Sequence, residues 1–194
     1  MYIRKILIGI LMLGILGGCY FMYSISQTIF KPITAFNNEE AYLYIPTGAD
    51  FKDVKEEILP LLNDMNAFET LAKKLGYTKR VKGGKYVIQK GMNSNDIVKT
   101  LLGKSEFVAV TLPSAKEITP IKKIARIISA EIEATETEVY NVIVDTIYPV
   151  SKGFKLSELQ YIYDSNTYMV PWNTSAEAFR DTIYNRFDKK KANE

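Results

Sequence analysis

The sequence predicts an α+β fold that follows an N-terminal transmembrane helix. Three features support this prediction: an uncharged apolar run at residues 6–25, short segments rich in aromatic and β-branched residues, and capping residues placed before amphipathic stretches. The chain has 194 residues, of which 47% are hydrophobic and 24% charged. This composition supports one or two small folded domains and excludes a wholly disordered protein.

The residue inventory narrows the possible chemistry. The chain has no histidine and one cysteine, which excludes a Ser-His-Asp or Cys-His catalytic pair, histidine-ligated or cysteine-rich zinc sites and an intrachain disulfide. A net charge of +3 is too balanced for an electrostatic nucleic-acid binder. We therefore expect no metal, no other cofactor and no nucleic-acid partner. Any catalysis must use carboxyl, hydroxyl, amide, lysine, arginine or tyrosine groups.

Residues 6–25 are predicted to cross a membrane once. A helix of this length spans about 30 Å, the thickness of a bilayer core. Arg4 and Lys5 precede the run, and no lysine or arginine follows it until Lys31. The positive-inside rule therefore leaves residues 1–5 in the cytoplasm and directs the rest of the chain to the extracytoplasmic side.

The segment Leu16-Gly17-Gly18-Cys19 leaves a second interpretation of this leader open, because it resembles a bacterial lipobox. In that case Cys19 would carry a lipid after cleavage, and a cleaved secretory signal is a related alternative. The apolar stretch continues beyond Cys19, which favours an uncleaved helix. Residues 26–40 contain Pro32 and no helical period, so we interpret them as a spacer.

Residues 41–104 are predicted to form a strand, two helices, a second strand and a third helix. Strand-like segments lie at 41–45 and 84–89, and the predicted helix caps are Asp50, Asn66 and Ser94. This βααβ order is also the plan of LysM-type glycan-binding modules, although many small α+β units share it.

Residues 105–194 are predicted to contain a strand and a series of helices. The strand covers 107–112, and Thr119-Pro120 is typical of a helix start. Thr135 and Glu138 have the spacing of a capping box, and the apolar stripe of that helix is expected to continue to Ile147. Ser175 is expected to cap the last helix.

Several strings taken in order resemble the MltG/YceG-like family, the membrane-anchored endolytic murein transglycosylases of bacteria. They are LYIPTGADF at 43–51, VKGGKY at 81–86, KGMNS at 90–94, and NTY at 166–168 followed by WNTS at 172–175, the last in a form similar to that of Bacteroidetes. The resemblance implies a LysM-like subdomain at 41–104 and a partial YceG-type catalytic domain at 105–194. It also implies peptidoglycan glycan strands as the substrate and cell-wall synthases as further partners.

The implied reaction needs one carboxyl group. Protonated, this group donates to the glycosidic oxygen; deprotonated, it takes the proton from the C6 hydroxyl of N-acetylmuramic acid, which closes onto C1 as a 1,6-anhydro end. The family's glutamate lies eight residues before the tyrosine of its PDTY-like string, which is Gln160 when counted back from Tyr168 without a gap. Because an amide cannot donate and recover a proton, Glu158 is the predicted catalytic residue, and a truncated or inactive copy is the alternative.

The same region supplies the predicted substrate-binding residues. Aromatic side chains there could form a floor on which sugar rings stack, or could instead pack in the core. The predicted substrate-binding set is Gln160, Tyr163, Asn166, Thr167, Tyr168 and Trp172. A non-catalytic peptidoglycan-binding or regulatory module at the membrane is the alternative function.

Overall fold

The computed structural model describes residues 2–113, 120–155, 162–163 and 165–192. Its first element, α1, is a helix over Tyr2–Phe30. The segment Tyr2–Ser24 is long and apolar enough to cross a membrane, and none of it is buried within the protein. This confirms the predicted apolar helix. The spacer expected at 26–40 begins later than predicted, because the helix continues to Phe30.

The next elements confirm the predicted strand, helix, helix, strand, helix order. They are β1 (Glu40–Ile45), α2 (Phe51–Ile58), α3 (Met65–Lys74), β2 (Gly84–Gln89) and α4 (Ser94–Leu102), with short 3-10 turns at 59–61 and 77–79. Strands β1 and β2 form a two-stranded sheet. The order alone does not establish kinship with LysM modules, so that similarity stays a prediction.

Local hydrogen bonds decide where these helices begin. Asp50 forms the expected cap of α2, with a capping box to Asp53. The predicted caps Asn66 and Ser94 are wrong, each because a neighbouring side chain caps the helix instead. The carboxylate of Asp64 accepts from the Ala67 N–H at 2.9 Å, and the side chain of Asn93 accepts from the Asp96 N–H at 3.0 Å.

In the described part of the chain after residue 104 lie two further strands and four helices. They are β3 (Phe107–Leu112), α5 (Ile121–Ser129), α6 (Glu136–Val144), α7 (Ile147–Ser151), β4 (Asn166–Pro171) and α8 (Ala176–Ala192). Strands β3 and β4 pair antiparallel, with Phe107 opposite Pro171 and Leu112 opposite Asn166. The structure confirms the strand at 107–112, the capping box of α6 and the Ser175 cap, whose hydroxyl accepts from the Ala178 N–H.

The helix that begins after Thr135 is shorter than the sequence predicted. It ends at Val144, and the Asp145 carboxylate then accepts from the Ile147 N–H at 2.8 Å, which starts the separate helix α7. Ile147 is 80% exposed, so the predicted apolar stripe does not reach it. Thr119 lies outside the described residues, and Pro120 occupies the N-cap position of α5.

The chain divides into two compact units whose segments alternate along the sequence. The first unit comprises residues up to 43, 49–82 and 87–104. The second comprises 44–48, 83–86 and everything from 105 onward. The last two residues of β1, the turn that follows them and the first residues of β2 therefore belong to the same unit as the residues from 105 onward.

Each unit has its own buried apolar side chains. In the first unit they come mainly from α2, α3 and α4, for example Ile58, Phe68 and Leu101. In the second unit one face of the β3–β4 sheet joins α5, α6 and α8 in a single cluster. Its members include Val108, Val110, Leu112, Ile124, Ile128, Val139, Tyr168, Val170, Phe179 and Ile183.

Candidate functional site

Two of the predicted site residues, Glu158 and Gln160, lie outside the described residues. The other predicted residues lie in the second unit, which also contains β4, its flanking residues and residues 44–48.

Tyr163 and Tyr168 pack inside the second unit. Tyr168 is 5% exposed, and its ring lies edge-on to Phe179 with the centroids 5.7 Å apart. The Tyr163 ring lies 6.4 Å from that of Tyr184, and burial raises the pKa of the Tyr163 phenol well above its ordinary value. The two rings thus contribute to core packing, the alternative that the sequence left open.

Asn166 and Thr167 occupy the start of β4. The Asn166 side-chain oxygen accepts from the Thr167 N–H at 3.0 Å, a local bond that orders the strand entry. Thr167 is exposed and lies directly opposite Thr111 on β3, and their hydroxyl oxygens are 2.9 Å apart. This pair places two hydroxyl groups on the outer face of the β3–β4 sheet.

Trp172 is half-buried and follows the last residue of β4. Its ring lies against that of Tyr44, with centroids 5.0 Å apart and planes tilted by 58°. Tyr44 is 39% exposed, and the Lys85 ammonium lies 5.8 Å from the centre of its ring. The structure therefore brings two partly exposed aromatic rings and a cation together on the second unit.

Glu133 connects the turn after β1 to the end of β4. Its carboxylate oxygens accept from the Thr47 N–H at 2.7 Å and from the Thr47 hydroxyl at 2.6 Å. Its own N–H donates to the Trp172 carbonyl at 2.7 Å. One residue thus fixes the segment that carries Tyr44 and the segment that carries Trp172. We call Glu133, Thr47, Tyr44 and Trp172 the aromatic clamp.

The outer face of the β3–β4 sheet begins beside the clamp. Phe107 and Pro171 pair at the end nearest Trp172, and the next pair on the same face is Ala109 with Met169. Phe107 is 55% and Met169 59% exposed. This face is therefore apolar near the clamp and ends in the hydroxyl pair of Thr111 and Thr167.

Two of the described carboxyl groups, those of Glu69 and Glu138, differ from what a glycosidase-type acid needs. The Lys55 ammonium lowers the pKa of Glu69, and hydrogen bonds from Thr135 lower the pKa of Glu138. A general acid instead needs a raised pKa.

Sequence reasoning missed Tyr44, Thr47 and Glu133. The first two lie within a string that carried the family resemblance, but their local patterns indicated only a strand and a turn. Glu133 lies 86 positions from Thr47 along the chain. A single sequence contains no signal that joins such distant positions.

Comparison with known proteins identifies the family. The YceG-like family model matches residues 43–194. A YceG-like protein from Listeria monocytogenes has a crystal structure with 20% sequence identity and a TM-score of 0.38; the match covers 81% of this chain and 57% of that one. No curated protein matches the chain. Because the family model covers well over half of the residues, this chain belongs to the YceG-like family.

Proposed function

We propose that this chain is a membrane-anchored endolytic lytic transglycosylase that cleaves the glycan strands of peptidoglycan. The observation that carries the proposal is the YceG-like family match over residues 43–194. The apolar helix over Tyr2–Ser24 supports an anchored protein. In this proposal the helix lies in the cytoplasmic membrane, and both compact units lie on the extracytoplasmic side, where glycan strands are found.

The proposed chemistry uses one carboxyl group, that of Glu158. Its proton passes to the glycosidic oxygen as the bond to C1 of N-acetylmuramic acid breaks. The resulting carboxylate takes the proton of the C6 hydroxyl, whose oxygen bonds to C1 and closes the 1,6-anhydro ring. The carboxyl group is thereby restored, and no water, metal or cofactor is consumed.

A non-catalytic glycan-binding protein is the second candidate. It is favoured by Gln160, which stands where an ungapped comparison with the family places the catalytic glutamate. Such a protein would hold glycan near the membrane or regulate a cell-wall synthase.

Muropeptide analysis separates the two candidates. The full chain in detergent is incubated with purified sacculi, and the released fragments are separated by mass. A transglycosylase produces new 1,6-anhydro ends that disappear in Glu158→Gln and persist in the matched control Glu131→Gln, a change at an exposed position. Co-sedimentation with sacculi without new ends favours the binding protein. If the chain neither cleaves the sacculi nor co-sediments with them, both candidate functions are contradicted.

A further inference from the structure

We propose that Tyr44, Trp172 and Lys85 form a subsite for a sugar ring that carries an acidic peptide stem. The proposal rests on the proposed function, because it specifies which part of a peptidoglycan strand the second unit recognises. The chemical class is an N-acetylated pyranose whose attached peptide ends in free carboxylates. All three residues belong to the second compact unit.

The two rings provide the surface for the sugar. The face of a pyranose ring presents C–H groups, which pack favourably against aromatic rings. Tyr44 remains 39% exposed although its ring contacts Trp172, so part of the surface of this pair is accessible to a ligand. With their planes tilted by 58°, the two rings form a corner rather than a flat stack. This surface continues onto Phe107, which is 55% exposed at the adjoining end of β3.

Lys85 gives this surface its charge preference. Its ammonium lies 5.8 Å from the centre of the Tyr44 ring. The backbone of Lys85 is held in place, because its carbonyl accepts a hydrogen bond from the Glu106 N–H at 2.8 Å. A carboxylate attached to a sugar on the Tyr44 ring would therefore meet a positive charge, whereas a neutral oligosaccharide would not use it.

The clamp holds this surface in place before any ligand arrives. Glu133 fixes Thr47 through two side-chain bonds and Trp172 through a backbone bond. Because both aromatic segments are held by the same residue, little ordering remains to be done on binding. Glu133 is thus a positioning residue for the subsite.

The outer face of the β3–β4 sheet offers room for the glycan strand to continue. From Pro171 to Thr167 the β4 backbone extends over about 14 Å at 3.4 Å per residue. The exposed hydroxyls of Thr111 and Thr167 lie at the far end. A glycan anchored on the two rings could therefore donate and accept hydrogen bonds there.

Trp172 is the only tryptophan in the chain, so its fluorescence reports this subsite directly. We would titrate the full chain in nanodiscs with two probes. One is a disaccharide tetrapeptide muropeptide from digested sacculi, and the other is chitotetraose, a neutral N-acetylated oligosaccharide. The expected result is a saturable change in emission with both probes and tighter binding of the muropeptide.

The variants separate stacking from charge recognition. Tyr44→Ala should lower the affinity for both probes about tenfold. Lys85→Gln should lower only the affinity for the muropeptide, by about threefold. The matched controls Tyr140→Ala and Lys123→Gln change exposed residues of the same unit and should leave both affinities unaltered. Near-ultraviolet circular dichroism verifies that each variant is folded.

Several results would overturn the subsite. These are an emission that no probe changes, an equal loss for both probes in Lys85→Gln, or an equal loss in Tyr44→Ala and Tyr140→Ala. The outcome is separable from the proposed function. Cleavage of sacculi without a Trp172 response would overturn the subsite alone, whereas a Trp172 response without cleavage would support the subsite and overturn the enzymatic function.

Discussion

Removing the carboxylate of Glu133 should loosen the second unit. In Glu133→Ala the Thr47 N–H and hydroxyl both lose their acceptor, whereas the backbone bond from residue 133 to the Trp172 carbonyl can persist. The segment 44–48 would then be held to the rest of the unit by fewer contacts. Tyr44 would lose part of its support against Trp172.

The size of this effect follows from the two bonds. A hydrogen bond to a charged group contributes about 1.5–3 kcal/mol, and partial solvent access reduces this figure. Because Glu133 is half-buried, we expect Glu133→Ala to lower the free energy of unfolding by about 1–2 kcal/mol. Glu133→Gln keeps one carbonyl oxygen as an acceptor and should lose less.

Urea unfolding followed by Trp172 fluorescence measures this change within the second unit. The expected result is a lower midpoint with an unchanged slope, because stability changes while the surface exposed on unfolding does not. Glu131→Ala, two residues away and exposed, is the matched control and should keep the wild-type midpoint. A wild-type midpoint in Glu133→Ala, or an equal shift in the control, would refute the clamp.

Three further changes test other parts of the structure by the same urea unfolding. In Gly84→Ala the new Cβ would lie 2.4 Å from the Ser105 Cβ at a φ of +146°, so we expect a loss of about 2–4 kcal/mol. Hydrogen bonds from Thr135 hold the pKa of Glu138 below its ordinary value near 4.5. Glu138 therefore contributes stability above that pH, and this contribution is lost as the pH falls through the folded-state pKa. In Glu138→Gln the free energy of unfolding should therefore fall less steeply as the pH is lowered. Ile183→Ala empties a fully buried position and should cost about 2–5 kcal/mol.

Each of these changes has a control. Gly91 also has a positive φ, +81°, but no atom lies within 4 Å of the Cβ that Gly91→Ala would add, so this change should cost less than Gly84→Ala. Glu131→Gln should leave the fall in the free energy of unfolding at low pH as steep as in the wild type. Asn185→Ala, at an exposed position of α8, should be nearly neutral. Equal effects within any pair would contradict the reasoning for that pair.

Much of the fold could be predicted because its causes are local. The Asp50 cap, the Thr135 capping box and the alternating strand at 107–112 each depend on residues a few positions apart. Errors occurred where two local signals competed. Asp64 displaced Asn66 as a cap, and Asp145 ended an apolar stripe that periodicity alone would have continued.

The candidate site could be predicted only in part because its contacts are distant in sequence. Trp172 was found from a motif, but its partner Tyr44 lies far earlier in the chain. The pattern of Tyr168 is compatible with a surface stack or with the core, and only the packing of Phe179 against it decides. Burial of this kind is a property of the assembled unit rather than of a local segment.

The most direct test of the proposed function is the fate of oxygen during cleavage. Purified glycan strands are incubated with the full chain in water labelled with the heavy oxygen isotope, and the new ends are analysed by mass spectrometry. Intramolecular attack by the C6 hydroxyl predicts unlabelled 1,6-anhydro ends that are absent in Glu158→Gln. Reducing ends that carry the label, or strands that stay uncut, would contradict the account.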